Sequence, residues 1–174
     1  MPRIRKGIAY RKLERPYTRV SKYKAKSFIK VSSGTKVVRF ESGDLKRKFQ
    51  YTLNLNSKSS LQIRDNALES ARQTSTRLLE KNLGQFGYNM KLKVYPFHVL
   101  RENPLATGAG ADRFSTGMQK SFGKPIGRAA RVKQSQTVFQ ISVDKQHIDL
   151  AKQALSKASK KLPCSYTIQV VQNK

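Results

Sequence analysis

The chain has 174 residues, in which 36 Lys and Arg face 10 Asp and Glu, a formal charge of +26. That length suits a single domain over residues 1–174, and 37% hydrophobic residues suits a modest core with extended parts around it. Such an excess of like charge calls for a polyanion. With no run of 18 apolar residues and no Trp for a membrane-surface helix, nucleic acid comes before a membrane.

Residues 1–30 form a basic arm: eleven are Lys or Arg, Glu14 is the one acid, and Tyr10, Tyr17, Tyr23 and Phe28 lie among them. Neither a helical period nor strict alternation organises the arm, and Pro16 interrupts it. No apolar run follows the charged start, so a secretory signal is not expected. A solvated tail is one reading. The interleaved tyrosines favour the other, a segment that orders on RNA, with rings stacking on bases or ribose while cations meet phosphates.

The first half of the fold, residues 31–101, has sharper patterns. "TKVVRFESGD" reads as a short strand ending in a Ser-Gly-Asp turn. "FQYTLNLN" puts Phe49, Tyr51, Leu53 and Leu55 on one face and Gln50, Thr52 and Asn54 on the other, a half-buried strand. A helix is expected from about Ser60, opened by a Ser59–Gln62 capping box, with Asp65 and Glu69 in early turns where the helix dipole favours anions. Ile63, Ala67, Ala71, Leu78 and Leu79 give its inner stripe, and Gly84 its C-terminal cap. "YNMKLKV" alternates through Tyr88, Met90, Leu92 and Val94, and Pro96 closes that strand.

Residues 102–130 read as an internal functional loop, a ribbon without hydrophobic period. Between Gly108 and Arg128 it holds five of the ten glycines. An irregular connection of that length is uncommon in a compact domain, and its glycines predict mobility. Arg101, Arg113, Lys120, Lys124, Arg128 and Arg131 run along it. The second half, residues 131–174, repeats the earlier grammar. Phe139, Ile141 and Val143 alternate, and Asp144 suits the N-cap of a helix with Ile148, Ala151, Leu155, Ala158 and Leu162 in one stripe. Pro163 ends the helix, and Tyr166, Ile168 and Val170 make a last strand. Cys164, the sole cysteine, excludes an intrachain disulfide, fits a reducing cytosol and reads as a buried small hydrophobe. The expected fold class is α+β: a two-layer α/β sandwich from two strand–helix–strand units, with a basic N-terminal arm and a long mobile internal loop.

Catalytic and cofactor motifs fail. "GAGADR" starts like a dinucleotide fingerprint, but Arg113 stands where the third Gly belongs, and neither a strand before it nor a helix after it is expected. In "GMQKSFGKP" five residues, not four, separate Gly117 from Gly123, and Pro125 replaces the hydroxyl residue of a phosphate loop. His98, His147 and Cys164 make no zinc set, and Asp65 and Glu69 are spaced for helix support rather than acid–base work. His98 reads as packed or RNA-facing, and His147 as solvated. No enzyme activity, cofactor, metal or small-molecule substrate is expected. Binding remains, and cations spread over an arm, a loop and strand edges suit a folded RNA better than a DNA groove.

"YPFHVLREN", "GAGADR", "TGM", "FGKPIG" and "AARV", in that order, resemble the large-subunit ribosomal protein family called L-ten-e in archaea, related to the bacterial L-sixteen family. "IRDNALESAR" and "ERPYTR" match it too, so the resemblance covers nearly the whole chain and fits the archaeal type more closely. Two stretches depart from the family. Gln119 stands where an Arg is usual after "TGM", and "MPRIRKGIAYR" replaces a cysteine-bearing start.

The resemblance implies a sandwich on large-subunit rRNA, between the base of the central protuberance and the peptidyl transferase centre, in a cytoplasmic ribosome beside neighbouring ribosomal proteins. It also implies a loop reaching towards the acceptor arm of tRNA and a late role in subunit assembly. Candidate rRNA contacts are Arg3, Arg5, Lys6, Arg11, Lys12, Arg15, Tyr17, Arg19, Lys22, Lys24 and Lys26 in the arm. Arg101, Lys120, Lys124, Arg128 and Arg131 continue them in and beside the ribbon. Gly108, Gly110, Asp112, Arg113 and Gly117 are the candidate tRNA-proximal loop. The rival reading is a freestanding RNA-binding regulator or chaperone, which would bind short RNA selectively outside any particle.

Overall fold

The separate alternating stretches are neighbours in one sheet. A computed structural model describes residues 5–13, 23, 34–103, 108–115, 117–119 and 121–173. In chain order it contains β1 (Glu41–Gly43), β2 (Tyr51–Ser57), β3 (Leu61–Arg64), α1 (Asp65–Leu83), β4 (Asn89–Leu92) and β5 (His98–Glu102). There follow α2 (Ala111–Phe114), β6 (Lys124–Val132), β7 (Thr137–Val143), α3 (Ile148–Ser159) and β8 (Tyr166–Gln172). The fold is α+β. A five-stranded sheet runs β1-β4-β7-β2-β8 and a three-stranded sheet β3-β6-β5, every pairing antiparallel.

Register explains the alternation. Met90 and Leu53 both lie opposite Ile141, while Leu92 and Leu55 lie opposite Phe139. Directly opposed residues share a face, so these rows stack into one apolar layer. The strands of β2–α1–β4 and β7–α3–β8 therefore interleave in the large sheet. Helix α3 packs on β2, β7 and β8 and also against α1, which reaches β3 and β6. Small residues let the helices approach: the Ser75 hydroxyl, which donates to the Ala71 carbonyl at 2.8 Å, lies 3.4 Å from the Ala154 carbonyl, with Ala71 and Ala154 fully buried. Leu155, Ala151 and Ala158 face inward on α3, and Leu68, Ala71 and Leu79 on α1. Gly84 caps α1 at φ +68, its N–H donating to the Glu80 carbonyl.

Five expectations need correction. The helix begins at Asp65, not Ser60, and Ser59 and Gln62 form no capping box. "LQIR" is strand β3, because Leu61 and Ile63 pair with Val132 and Ala130 while Gln62 faces the other way. Ile63 thus enters the core from a strand. The stretch from Thr35 contributes only three residues of strand, β1. Asp144 precedes a short 3-10 turn, makes no side-chain cap, and pairs with Arg47. Cys164 is exposed, at φ +68.

The ribbon needs the largest correction. Lys124–Val132 is a nine-residue strand, the centre of the small sheet, so the irregular stretch ends at Gly123. Strand β5 leads into it and the single turn α2 lies within it. Pattern reading missed β6 because Pro125, Gly127, Arg128 and Arg131 break any simple alternation.

Leu155 is completely buried between α3 and the large sheet. Leu155→Ala is expected to destabilise the protein by about 2–5 kcal/mol, measured as a denaturation midpoint shift at unchanged slope. An unchanged midpoint would contradict this packing.

Candidate nucleic-acid interface

One face of the small sheet enters the core through Leu61, Ile63, Ala130 and Val132. Strand geometry then puts Gln62, Arg64, Ala129 and Arg131 on the other face, joined by His98 and Leu100 of β5. Residues 5–13 cross this outer face. The Gln62 backbone N–H donates to the Arg11 carbonyl at 2.9 Å, and its amide nitrogen to the Lys12 carbonyl at 2.7 Å. The Tyr10 hydroxyl donates to the Glu102 carboxylate at 2.9 Å, and Arg5 pairs with the same carboxylate. Burial first, and the Glu102 bond second, hold the Tyr10 phenol above its usual pKa, so it stays a donor. The Arg64 guanidinium lies 5.6 Å from the Tyr10 ring centroid. This part of the arm belongs to the fold.

The ribbon is closed at its base. Arg101 donates to the carbonyls of Phe122 and Gly123 at 3.0 and 2.6 Å and lies 3.9 Å from the Phe122 ring centroid. Gly123 sits at φ +82 with the Glu102 backbone 3.0 Å from where a Cβ would stand, so a side chain there would collide with β5. Asn103 donates to the Gly117 carbonyl at 3.2 Å, bridging the two limbs. Gly110 opens α2 in the left-handed conformation, φ +75, and the backbone of Asp112 lies in that turn, followed by exposed Arg113. Gly108 accepts from the Ala111 N–H at 3.1 Å.

The sequence-selected cations are therefore dispersed. Arg5, Lys6, Arg11 and Lys12 cross the small sheet; Arg101 clamps the ribbon, and Lys124 starts β6 opposite Glu102. Arg128 and Arg131, three apart on one strand, face opposite sides. Arg3, Arg15, Tyr17, Arg19, Lys22, Lys24, Lys26 and Lys120 lie outside the described residues. Arg11 Nε, Arg128 Nε and Arg131 Nη1 are shielded and have no hydrogen-bond partner among the described residues.

A further basic concavity escaped the sequence reading. Arg77 and Lys81 of α1 meet Lys157 and Lys161, from and just beyond α3, around a groove of about 350 Å³. The four-residue spacing within each pair was the available signal, obscured because the same helices carry the core stripes. Among the described residues no group of three His, Cys, Asp or Glu could hold a metal ion, and no helix is long and apolar enough to cross a membrane.

The family model "Ribosomal protein L16p/L10e" matches residues 8–169. The chain belongs to this family. It is 42% identical over 161 residues to "Large ribosomal subunit protein uL16" of Archaeoglobus fulgidus, covering 92% of this chain and 89% of that one. The protein of the same name from Methanospirillum hungatei is 45% identical over 81% of this chain and 83% of its own. That from Methanocella arvoryzae is 41% identical over 94% and 92%. A member of the L16p/L10e family is a structural protein and not an enzyme, so the polar groups around β6 are binding or framework groups.

His98 belongs among them. Burial first, and the charge of Arg131 second, lower its pKa from the usual 6.5. The unfolded chain takes up a proton near that value which the folded chain refuses, so stability falls as pH drops below about 6.5 and gains nothing from this residue above it. Denaturation midpoints at about pH 5 and about pH 7.5 check this. His98→Gln should narrow the gap between them; an unchanged gap would remove His98 from the titration.

Proposed function

We propose that the chain is a structural constituent of the large ribosomal subunit, binding large-subunit rRNA in a cytoplasmic ribosome, with its ribbon supporting tRNA positioning near the peptidyl transferase centre. One observation carries the RNA part: the formal charge is +26, and Glu41, Asp44, Asp65, Glu69, Glu80, Glu102, Asp144 and Asp149 all have partners within the chain. The surplus cations have no internal answer. Phosphates answer it, and the guanidinium groups of Arg11, Arg128 and Arg131, each with a nitrogen that has no partner among the described residues, have the planar fork that suits phosphate oxygens. Family membership and the names of the archaeal relatives support a ribosomal RNA in that role.

In this reading Arg5, Lys6, Arg11 and Lys12, the rest of the arm, Lys124, Arg128 and Arg131 meet rRNA, and the groove at Arg77, Lys81, Lys157 and Lys161 takes further phosphates. Arg101 acts by holding the base of the ribbon. Gly108, Gly110, Asp112, Arg113 and Gly117 form the part directed to the tRNA acceptor arm, supported by the "GAGADR" and "TGM" resemblance and by the closed base, which would carry the segment away from both sheets. Neighbouring ribosomal proteins complete the surroundings.

Phosphate neutralisation sets the expected salt dependence. If about ten cations meet phosphates, affinity for large-subunit rRNA falls roughly 10³–10⁵-fold between about 50 and about 200 mM salt. An almost flat titration would rule out this mode. Retention on large subunits through a high-salt wash separates the ribosomal role from a freestanding regulator, which would be released.

For the ribbon, the test is to shorten residues 106–116 to a brief linker, leaving the Arg101 clamp and β6 intact. Incorporation into subunits should persist, while tRNA binding or final subunit maturation is impaired. Full activity with full incorporation would make the segment dispensable.

A further inference from the structure

Between the N-terminal segment, the outer face of the small sheet and the returning limb of the ribbon lies a pocket of about 290 Å³. Tyr10, Lys12, Gln62, His98, Arg101 and Phe122 line it. Gln62 and His98 are each only 8% exposed, which is unusual for polar side chains bordering a cavity.

Their hydrogen bonding is incomplete. The Gln62 amide nitrogen must face the Lys12 and Tyr10 carbonyls, at 2.7 and 3.5 Å, because both are acceptors. That turns Oε1 away, buried and with no donor among the described residues. An acceptor left so is destabilising until a donor reaches it, and among such atoms Gln62 Oε1 belongs to a side chain that lines the pocket. The His98 ring makes no hydrogen bond among the described residues, and burial, with the Arg131 charge second, favours its neutral form, with one N–H donor and one ring acceptor. The walls are flat and already fixed: Tyr10 by its bond to Glu102, Phe122 by the Arg101 guanidinium beside its ring. No carboxylate lines the pocket among the described residues, and Lys12 supplies a cation.

An acceptor, a neutral donor–acceptor, two fixed rings and a cation match an unpaired nucleotide. Its base edge carries donors and acceptors, its ring stacks on aromatic side chains, and its phosphate seeks a lysine. A duplex cannot use the site, because its Watson–Crick edges are paired and its rings are held in the stack, so no base can enter a pocket. We propose that this pocket receives one unpaired base of the RNA that the chain binds. The proposal rests on the RNA-binding reading above.

The test uses the full chain, a short poly(A) strand and an RNA duplex of the same length, at low salt and at about 0.5 M salt, where phosphate contacts are screened. Ala9→Leu narrows the pocket from an exposed position on its rim, and Gln62→Leu removes the unpaired acceptor. At high salt the single strand should bind more tightly than the duplex. Each variant should weaken the strand about fivefold or more, Gln62→Leu through one lost hydrogen bond and Ala9→Leu through lost space, with the duplex unchanged. Adenosine monophosphate should shift the His98 ring resonances in the parent protein and not in Ala9→Leu, which keeps the test decisive if Gln62→Leu fails to fold. Equal binding of strand and duplex, or variants that affect both alike or neither, overturns the pocket while leaving the RNA reading intact. Absence of salt-sensitive binding to either RNA overturns the RNA reading and the pocket with it.

Discussion

A chain with 36 cations and 10 carboxylates folds against its own field, and the carboxylates are its scarce component. Four of them stand at joints. Glu102 collects Tyr10 and Arg5 from the N-terminal segment at the point where β5 gives way to the ribbon. Asp144 takes Arg47 at 2.6 Å, joining the approach to β2 with the approach to α3. Asp65, first residue of α1, accepts the Lys36 N–H at 3.0 Å and so holds the chain before β1 against the helix start. Glu41 meets Lys91 across the β1–β4 pairing. Partly exposed ion pairs contribute little stability each. Their use at connections between elements means that they fix position, while the apolar rows of the large sheet supply the driving force.

The same scarcity shapes the small sheet. Strand β6 pairs with β3 and β5 and then turns through Lys133–Gln136 into β7, the middle strand of the large sheet. A strand carrying Lys124, Arg128 and Arg131 is thereby anchored at the junction of both sheets with no carboxylate of its own. Its basic side chains stand on the paired backbone of the small sheet, and the ribbon leaves β5 at Glu102 and rejoins β6 at Lys124. Placing cations on strands and glycines beyond them separates the two tasks proposed for the chain. In the proposed reading one part docks on RNA, and the other starts from a fixed base.

Much of the large sheet was legible because its physics is local. Leu53 and Leu55, Met90 and Leu92, Phe139 and Ile141 alternate since each strand has one wet and one dry face, and that period survives in the sequence. Helix α3 was legible for the same reason. The small sheet was not, since its identity is set by distant partners. "LQIR" carries a capping-box pattern and abuts a true helix, so local reading extends the helix backward, yet pairing with Val132 and Ala130 makes it a strand. In β6, Pro125 and Gly127 read as breakers, and only its neighbours β3 and β5 make it a strand. The candidate interface shared that limit. The basic residues could be counted, but not that Arg128 and Arg131 face opposite ways, that Arg101 grips the ribbon, or that residues 5–13 cover Gln62 and His98.

That covering segment also makes the arm and the fold inseparable. Residues 5–13 roof a sheet face whose polar groups they only half satisfy: the Gln62 nitrogen is used and its oxygen is not. An apolar residue at position 62 would remove the buried acceptor but also the donor to the Lys12 carbonyl, so the glutamine ties the roof to the sheet through its nitrogen while its oxygen has no use among the described residues. Natural sequences are locally consistent except where another demand intervenes, and such conflicts gather at functional sites. Here the conflict lies where the basic arm, the start of the ribbon and strand β6 converge. A ligand that satisfied Gln62 and His98 would bridge Tyr10 and Lys12 on one side to the Arg101–Phe122 clamp on the other, two walls that are each fixed separately. Occupancy of the pocket would thus couple the docking of residues 5–13 to the base of the ribbon.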